Sequence, residues 1–180
     1  MTRSDYENLK EQSINLFKKS GIYLTPAEEQ NLEVIDFGLN EPYVQGLILH
    51  TYVNTKRACA KELAILPGQT CAEHRHPPLS PDNPGKEETF RCRYGEMYLY
   101  VSGEPTPNPK GKIPKGREAF YTAHHEIVLQ KGEQYTLAPD SLHWFQAGPK
   151  GAVVSEFSSY SDDGSDVFTD PEIVRDPFVE

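Results

Sequence analysis

The chain has 180 residues, with a hydrophobic share of 37% and a charged share of 25%, which is one domain's worth of soluble protein, able to bury a core without disulfides. The formal net charge is −9, and residues 151–180 hold eight acids against the single Arg175, so nucleic-acid phosphates and anionic membrane surfaces are disfavoured as partners. No apolar run approaches the roughly 18 residues that span a bilayer, and MTRSDYENLK lacks the apolar stretch of a secretory signal; an unprocessed, cytoplasmic protein is expected. Cys59, Cys71 and Cys92 are odd in number and lack C-x-x-C spacing, which predicts reduced thiols rather than a disulfide framework.

Along the chain, Ser4 and Glu7 suggest a capping box. Tyr6, Leu9, Ser13, Leu16 and Phe17 then recur at helical spacing until Gly21 closes the run, predicting an amphipathic helix. A second box, Thr25 with Glu28 and Pro26 at the first helical position, predicts a short helical turn. From Leu32 the period changes to that of strands: LEVIDFG, VQGLILHTYV and ACAKELAIL, then EMYLYVSG, in which Met97, Leu99 and Val101 share one face and Tyr98 and Tyr100 the other. GEPTPNPKGKIPKGR reads as a long surface loop, and its Lys110, Lys112, Lys115 and Arg117 as a solvated basic patch. EIVLQ, EQYTLAP, HWFQAG and AVVSEFSS read as further strands. In the acidic tail, Val167, Phe168, Ile173, Val174, Phe178 and Val179 are candidates to tie it to the body.

These elements predict a mainly β protein, an antiparallel sandwich or small barrel carrying an N-terminal helical extension. The expected division is a helical extension over 1–42, the barrel over 43–160 and an acidic tail over 161–180, all in one domain. An exposed sheet edge would favour pairing, so a homodimer is expected.

The chemistry concentrates in HRHPPLSPDNPGKEETFRCRYG. His74 and His76 stand two apart, so in an extended segment both imidazoles point at one centre, which a metal ion explains most simply. His143, in PDSLHWF, is the third candidate ligand, with Glu87 or Glu88 as a carboxylate. Three imidazoles and one carboxylate suit manganese, iron, cobalt, nickel or zinc and not an all-oxygen calcium cage. An H-x-H pair alone is weak, being more often two ordinary histidines. His50, His124 and His125 lack a comparable spacing partner and read as structural; Trp144 and Phe145 read as core.

PGQTCAEHRHPP followed by KEETFRCRYG resembles the first motif of the cupin superfamily, with Gly68, His74, His76, Glu88 and Gly95 in its places, although eleven residues separate His76 from Glu88 where three or four are usual. The spacing to Gly95 favours Glu88 over Glu87. GEQYTLAPDSLHWF resembles the second motif, with Gly132, Pro139 and His143, and with Ser141 where a glycine is common. The loop ending at Lys86-x-Glu88 and the stretch VVSEFSSYSDDGSDVF look like cupin-type D-lyxose isomerases. That resemblance implies a jelly-roll cupin barrel, a divalent metal, typically Mn(II), and interconversion of D-lyxose with D-xylulose, with D-mannose and D-fructose as possible further sugars.

Aldose–ketose isomerisation needs proton-transfer groups beside the metal. Glu156 is the candidate base if Ala152, Val154 and Glu156 face the barrel interior; in the opposite register Val153 and Phe157 face in and Glu156 is solvated. Lys86 is the candidate proton shuttle or enediolate stabiliser, its ammonium pKa expected to fall beside a metal; the plain alternative is a loop lysine. Of Asp162, Asp163 and Asp166, only Asp166 is kept as a candidate sugar ligand. Competing readings of the same ligand set are an Fe(II) cupin dioxygenase and a non-catalytic sugar-binding module, neither of which needs Lys86 or Glu156.

Overall fold

The computed structural model describes residues 1–175; Phe178 and Val179, expected to anchor the tail, lie outside the described residues. Helix α1 (Arg3–Ser20) buries Leu9, Ser13, Leu16 and Phe17, the stripe expected from the period. Its N-cap is Thr2 rather than Ser4: the Thr2 hydroxyl accepts from the Asp5 N–H at 3.1 Å, which begins the helix two residues earlier. Helix α2 (Pro26–Gln30) starts with both halves of the Thr25–Glu28 capping box in place.

Among the described residues nine antiparallel strands follow: β1 (Glu33–Ile35), β2 (Leu47–Asn54), β3 (Cys59–Ile65), β4 (Thr70–Arg75), β5 (Glu88–Val101), β6 (His125–Gln130), β7 (Gln134–Leu137), β8 (His143–Ser158) and β9 (Val167–Phe168). Two of them are far longer than the sequence pattern suggested. HWFQAG and AVVSEFSS are one strand, β8, because β5 pairs with it on both sides of Pro149–Lys150. EMYLYVSG is only the second half of β5, whose first half begins at Glu88.

The pairing of β5 with β8 is the spine of a curled, jelly-roll cupin barrel. The first half of β5 and the second half of β8 sit in one face with β1, β2, β3 and β7, while their other halves sit in a second face with β4, β6 and β9. The register shifts at Cys92/Tyr94 and Gly95/Met97 mark where both strands turn from one face to the other. At this corner the backbones nearly touch. Gly95 has φ +69, and a Cβ there would stand 1.9 Å from the Gly151 carbonyl oxygen, so only glycine fits.

Side chains between the faces form the main core, including Leu49, Leu63, Ile65, Phe90, Met97, Leu99, Phe145 and Val154. Helix α1 covers the outside of the first face over Ile48, Ala64 and Val153. The loop after β5, expected to lie on the surface, covers the outside of the second: Tyr121 and Ala123 pack with Tyr98, Tyr100 and Trp144. The basic patch within it is not wholly solvated, since Arg117 pairs with Asp170 at 2.9 Å and with Glu172 at 2.6 Å. All three cysteines are free and buried. No helix among the described residues is long and apolar enough to cross a membrane.

The corner predicts a graded pair of effects. Gly95→Ala should lose at least about 3 kcal/mol of unfolding free energy through backbone displacement and strain. Gly132→Ala, with nothing within 4 Å of the added methyl, should lose only about 1 kcal/mol. Urea titration of both variants checks this ordering.

Candidate active site

The site lies between the two faces at one end of the barrel, and each face supplies part of it. His74, near the end of β4, is register partner of His143 at the start of β8; these belong to the second face. Glu88, at the start of β5, is partner of Ser158, and Glu156 of both Phe90 and Lys61; these belong to the first. His76 and Lys86 stand just outside β4 and β5, joined by the long loop. The nine residues of that loop leave the barrel and return to their starting point, because Gly85 packs against the His76 carbonyl oxygen so closely that a Cβ would lie 2.3 Å from it. The excursion therefore leaves the spacing between His76 and Glu88 in space unaffected.

The three imidazoles form one buried group whose ligand atoms lie within 4.8 Å of one another. Their outer nitrogens are committed: Nδ1–H of His74 donates to the Ala72 carbonyl at 2.8 Å, that of His143 to the Ser141 carbonyl at 2.9 Å, and that of His76 to the Asp166 carboxylate. With the outer nitrogens so engaged, the neutral rings turn their Nε2 lone pairs inward, and His76 does so on giving up its second proton. Asp140, at φ +59, makes the turn before His143 in place of a glycine at 141. Nε2 of His76 and of His143 each lie 3.1 Å from Glu88 Oε1, yet His143 Nε2 is buried without a hydrogen-bond partner of acceptable geometry. Glu88 is the inward carboxylate. Glu87 is exposed, its N–H bonded to the Ser159 hydroxyl at 3.1 Å.

Glu156 faces the interior with Ala152 and Val154, while Phe157 is 50% exposed and Val153 packs under α1. Lys86 is buried between two carboxylates, its Nζ 2.8 Å from Glu88 Oε2 and 2.6 Å from Glu156 Oε1. The protein's own groups act in the direction opposite to the fall expected beside a metal ion. Burial works against its ammonium, but Glu156 and Glu88 outweigh burial and hold the pKa well above the usual lysine range. Burial likewise opposes ionisation of Glu88, and Lys86 and His76 overcome it, keeping the carboxyl well below its usual range. Burial together with its neighbours His143 and His76 pushes His74 well below the ordinary histidine value. For His76, burial is outweighed by Glu88 and Asp166, and the pKa rises to about 9.

Asp166 was singled out as a sugar ligand; its place is behind His76, hydrogen-bonded to Nδ1, at the edge of the same cavity. Phe168 lies against the His74 ring at 5.4 Å. Lys61, which was not anticipated, and Asp163, which was weighed and set aside in favour of Asp166, also line the cavity. Lys61 Nζ is 2.7 Å from Asp163 Oδ2 and 3.1 Å from the Ser161 hydroxyl. The one available signal was Lys61 on the inward side of a strand whose Leu63 and Ile65 are core. His50 packs edge-on to Tyr52, outside the cavity. His124 and His125 are exposed.

A cupin barrel with a buried three-histidine, one-carboxylate cluster and a lysine–glutamate pair beside it defines a class of enzyme whose site suits a divalent metal. Comparison narrows the class. The model of the D-lyxose isomerase family matches residues 108–180. A D-lyxose/D-mannose isomerase of Thermosediminibacter oceani is 57% identical over 180 residues, covering all of this chain and 99% of that protein. A D-lyxose ketol-isomerase of Cohnella laeviribosi is 54% identical, covering all of this chain and 98% of the other. Among solved structures, L-ribose isomerase of Cellulomonas parahominis superposes with a TM-score of 0.79 at 18% identity, over 96% of this chain and 94% of that one, a likeness of fold. The chain belongs to the D-lyxose isomerase family, and is an enzyme of the sugar isomerase class.

The Lys61–Asp163 pair predicts a pH-dependent stability. Burial raises the Asp163 pKa, but Lys61 and the Ser161 hydroxyl outweigh it and hold the carboxyl below its ordinary value. A depressed folded-state pKa stabilises above the unfolded value near 4 and ceases to as pH falls through the folded one. Asp163→Asn should therefore cost about 2–4 kcal/mol at pH 7, leaving Lys61 buried without its counter-charge. The gap to the wild type should close progressively below about pH 4, which chemical denaturation across pH 2–7 measures.

Proposed function

We propose that the enzyme interconverts D-lyxose and D-xylulose by proton transfer through an enediol, with D-mannose and D-fructose as a second pair, and that it uses a divalent metal, most simply Mn(II), held by His74, His76, His143 and Glu88. The fit to a metal rests on the donor set. Three imidazoles present lone pairs from rings fixed by their outer nitrogens, one of them on a buried nitrogen without a hydrogen-bond partner. Three nitrogens and one carboxylate oxygen match manganese, iron, cobalt, nickel and zinc. When bound there, the metal supplies a Lewis acid that polarises the sugar oxygens and a template that orients them.

The observation that carries the isomerase reading is the buried Lys86–Glu156 pair at 2.6 Å, lining the same cavity as the histidines. Moving a hydrogen between C2 and C1 requires one group to take a proton from carbon and return it to the neighbouring carbon. Glu156 is the base in this reading, since its carboxylate faces the cavity from a long central strand and is oriented by Lys86 and by the Ser158 hydroxyl at 3.3 Å. Lys86, bonded to Glu88 and Glu156, donates hydrogen bonds toward the oxygen that gains negative charge as the enediolate forms, and is the group placed to pass the proton between the two sugar oxygens. Asp166 keeps the His76 ring in one tautomer and orientation. Oxygen activation or passive sugar binding would leave this lysine–glutamate pair without a task.

Metal-stripped protein should not convert D-lyxose, and Mn(II) should restore formation of D-xylulose, resolved by chromatography. Glu156→Gln should lower kcat by about 10²–10⁴-fold with Mn(II) content unchanged. Retained turnover in that variant would remove Glu156 from the base role, and absence of sugar conversion by the Mn(II)-loaded wild type would overturn the reading as a whole.

A further inference from the structure

Glu73 lies next to His74 in β4 but turns away from the cavity, and it is 1% exposed. Its carboxylate is satisfied by four hydrogen bonds. Thr122 N–H and Ala123 N–H donate to Oε2, each at 2.7 Å; the hydroxyls of Thr122 and Thr169 donate to Oε1 at 2.9 and 2.8 Å. Thr169 N–H adds a bond to the Glu73 carbonyl at 3.1 Å. Bonds to an ionised acceptor are the stronger kind, and a buried carboxylate deprived of them bears a large desolvation cost.

One side chain thus fastens two separate segments to the strand that carries His74, and the two segments differ in what they bring. The 122–123 loop holds the Trp144 indole N–H through the Ala123 carbonyl at 2.8 Å, on the outside of the barrel. The Thr169 segment is continuous with β9, which places Phe168 against the His74 ring and Asp166 on His76 Nδ1. Strand β9 has only two residues, paired as His74↔Phe168 and Arg75↔Val167. So short a strand specifies its own register weakly, and a slip of one residue would turn Phe168 and Asp166 away from the site. Arg117 also holds the tail, through Asp170, but it binds tail to loop and not tail to β4.

We propose that Glu73 is a positioning residue for the metal centre: by holding Thr169 it sets the register of β9 on β4, and through Asp166 it fixes the direction of the His76 imidazole. The inference rests on the reading of His74, His76, His143 and Glu88 as metal ligands.

The test uses the full-length, metal-stripped protein, with Mn(II) affinity from calorimetry and Tm measured in parallel. Glu73→Ala, Thr169→Val and Asp166→Asn should each weaken Mn(II) binding by about tenfold or more. Thr122→Val removes a hydroxyl from the same Glu73 oxygen but not the route to Asp166; it should lower Tm while binding Mn(II) within about twofold of the wild type. Adding Thr169→Val to Asp166→Asn should weaken binding no further than Asp166→Asn alone. Wild-type affinity in Thr169→Val, or an equal loss in Thr122→Val, would show a role confined to stability and overturn the proposal. If Glu73→Ala does not fold, Thr169→Val and the double variant still decide the matter. A wild type that takes up no Mn(II) refutes the metal reading itself, a result distinct from a wild type that binds while the variants match it.

Discussion

A carboxylate buried at 2% exposure, Glu88, keeps its charge only because a cation and two imidazoles surround it, and much of the architecture serves to bring those partners together. They come from different strands, on different faces of the barrel, and from a loop. Removing any one leaves charge in a place that water does not reach, where the cost runs to several kcal/mol per ion. The charges therefore form an alternating chain: His76, Glu88, Lys86, Glu156. A second pair, buried Lys61 with half-buried Asp163, stands beside it on the register neighbour of Glu156. A hydrophobic interior of the same shape would be as stable or more so, so function is the better reason for this arrangement.

Features with a local period could be read directly from the residues. The buried stripe of α1, the capping box at Thr25, the two-sided alternation of Met97 to Val101 and the common direction of His74 and His76 all follow from repeats of 3.6 or 2 within a few residues. Features that depend on a partner distant in sequence could not. Alternation alone left Glu156 free to face either way; the α1 helix decides it by covering Val153 on the opposite side. For Lys86 only the repulsion of a metal was considered, and the two carboxylates contributed by other parts of the sheet, which pull its pKa upward, were not visible in the sequence. Nothing in DDGSD distinguished Asp163 from Asp166, since Lys61 and His76 select between them only in the folded chain. Strand β8 read as two because Pro149, Lys150 and Gly151 resemble a turn, and only the unbroken partner β5 shows that the chain bends without leaving the sheet.

The corner at Gly95 and Gly151 has a consequence for chemistry as well as for folding. His74 and His143 are fixed to one face, Glu88 and Glu156 to the other, and the angle between the faces is set where β5 and β8 turn together. Within each half the groups are joined through paired strands: Glu88 and Glu156 through β5 and β8, and His74 through its direct pairing with His143. Between halves they are only as well placed as the bend, and reacting groups tolerate little displacement, about 1 Å costing orders of magnitude in rate. Glu88, 3.1 Å from Nε2 of both His76 and His143, is the group that meets the other half directly, and Lys86 links it to Glu156 within its own face.

The tail is the least regular contributor. Asp163, Asp166 and Phe168 all line the cavity, yet they stand on a 3-10 turn and a two-residue strand with few backbone bonds to the sheet. Side chains do the holding instead: Lys61 on Asp163, Glu73 on Thr169, Arg117 on Asp170. Two of these anchors belong to β3 and β4, and Glu73 sits directly beside His74. A segment held in this way is ordered by the strands that line the cavity, so the acidic run that looked in the sequence like a solvated appendage is a wall of that cavity, with Asp163 directed at Lys61 and Asp166 at His76.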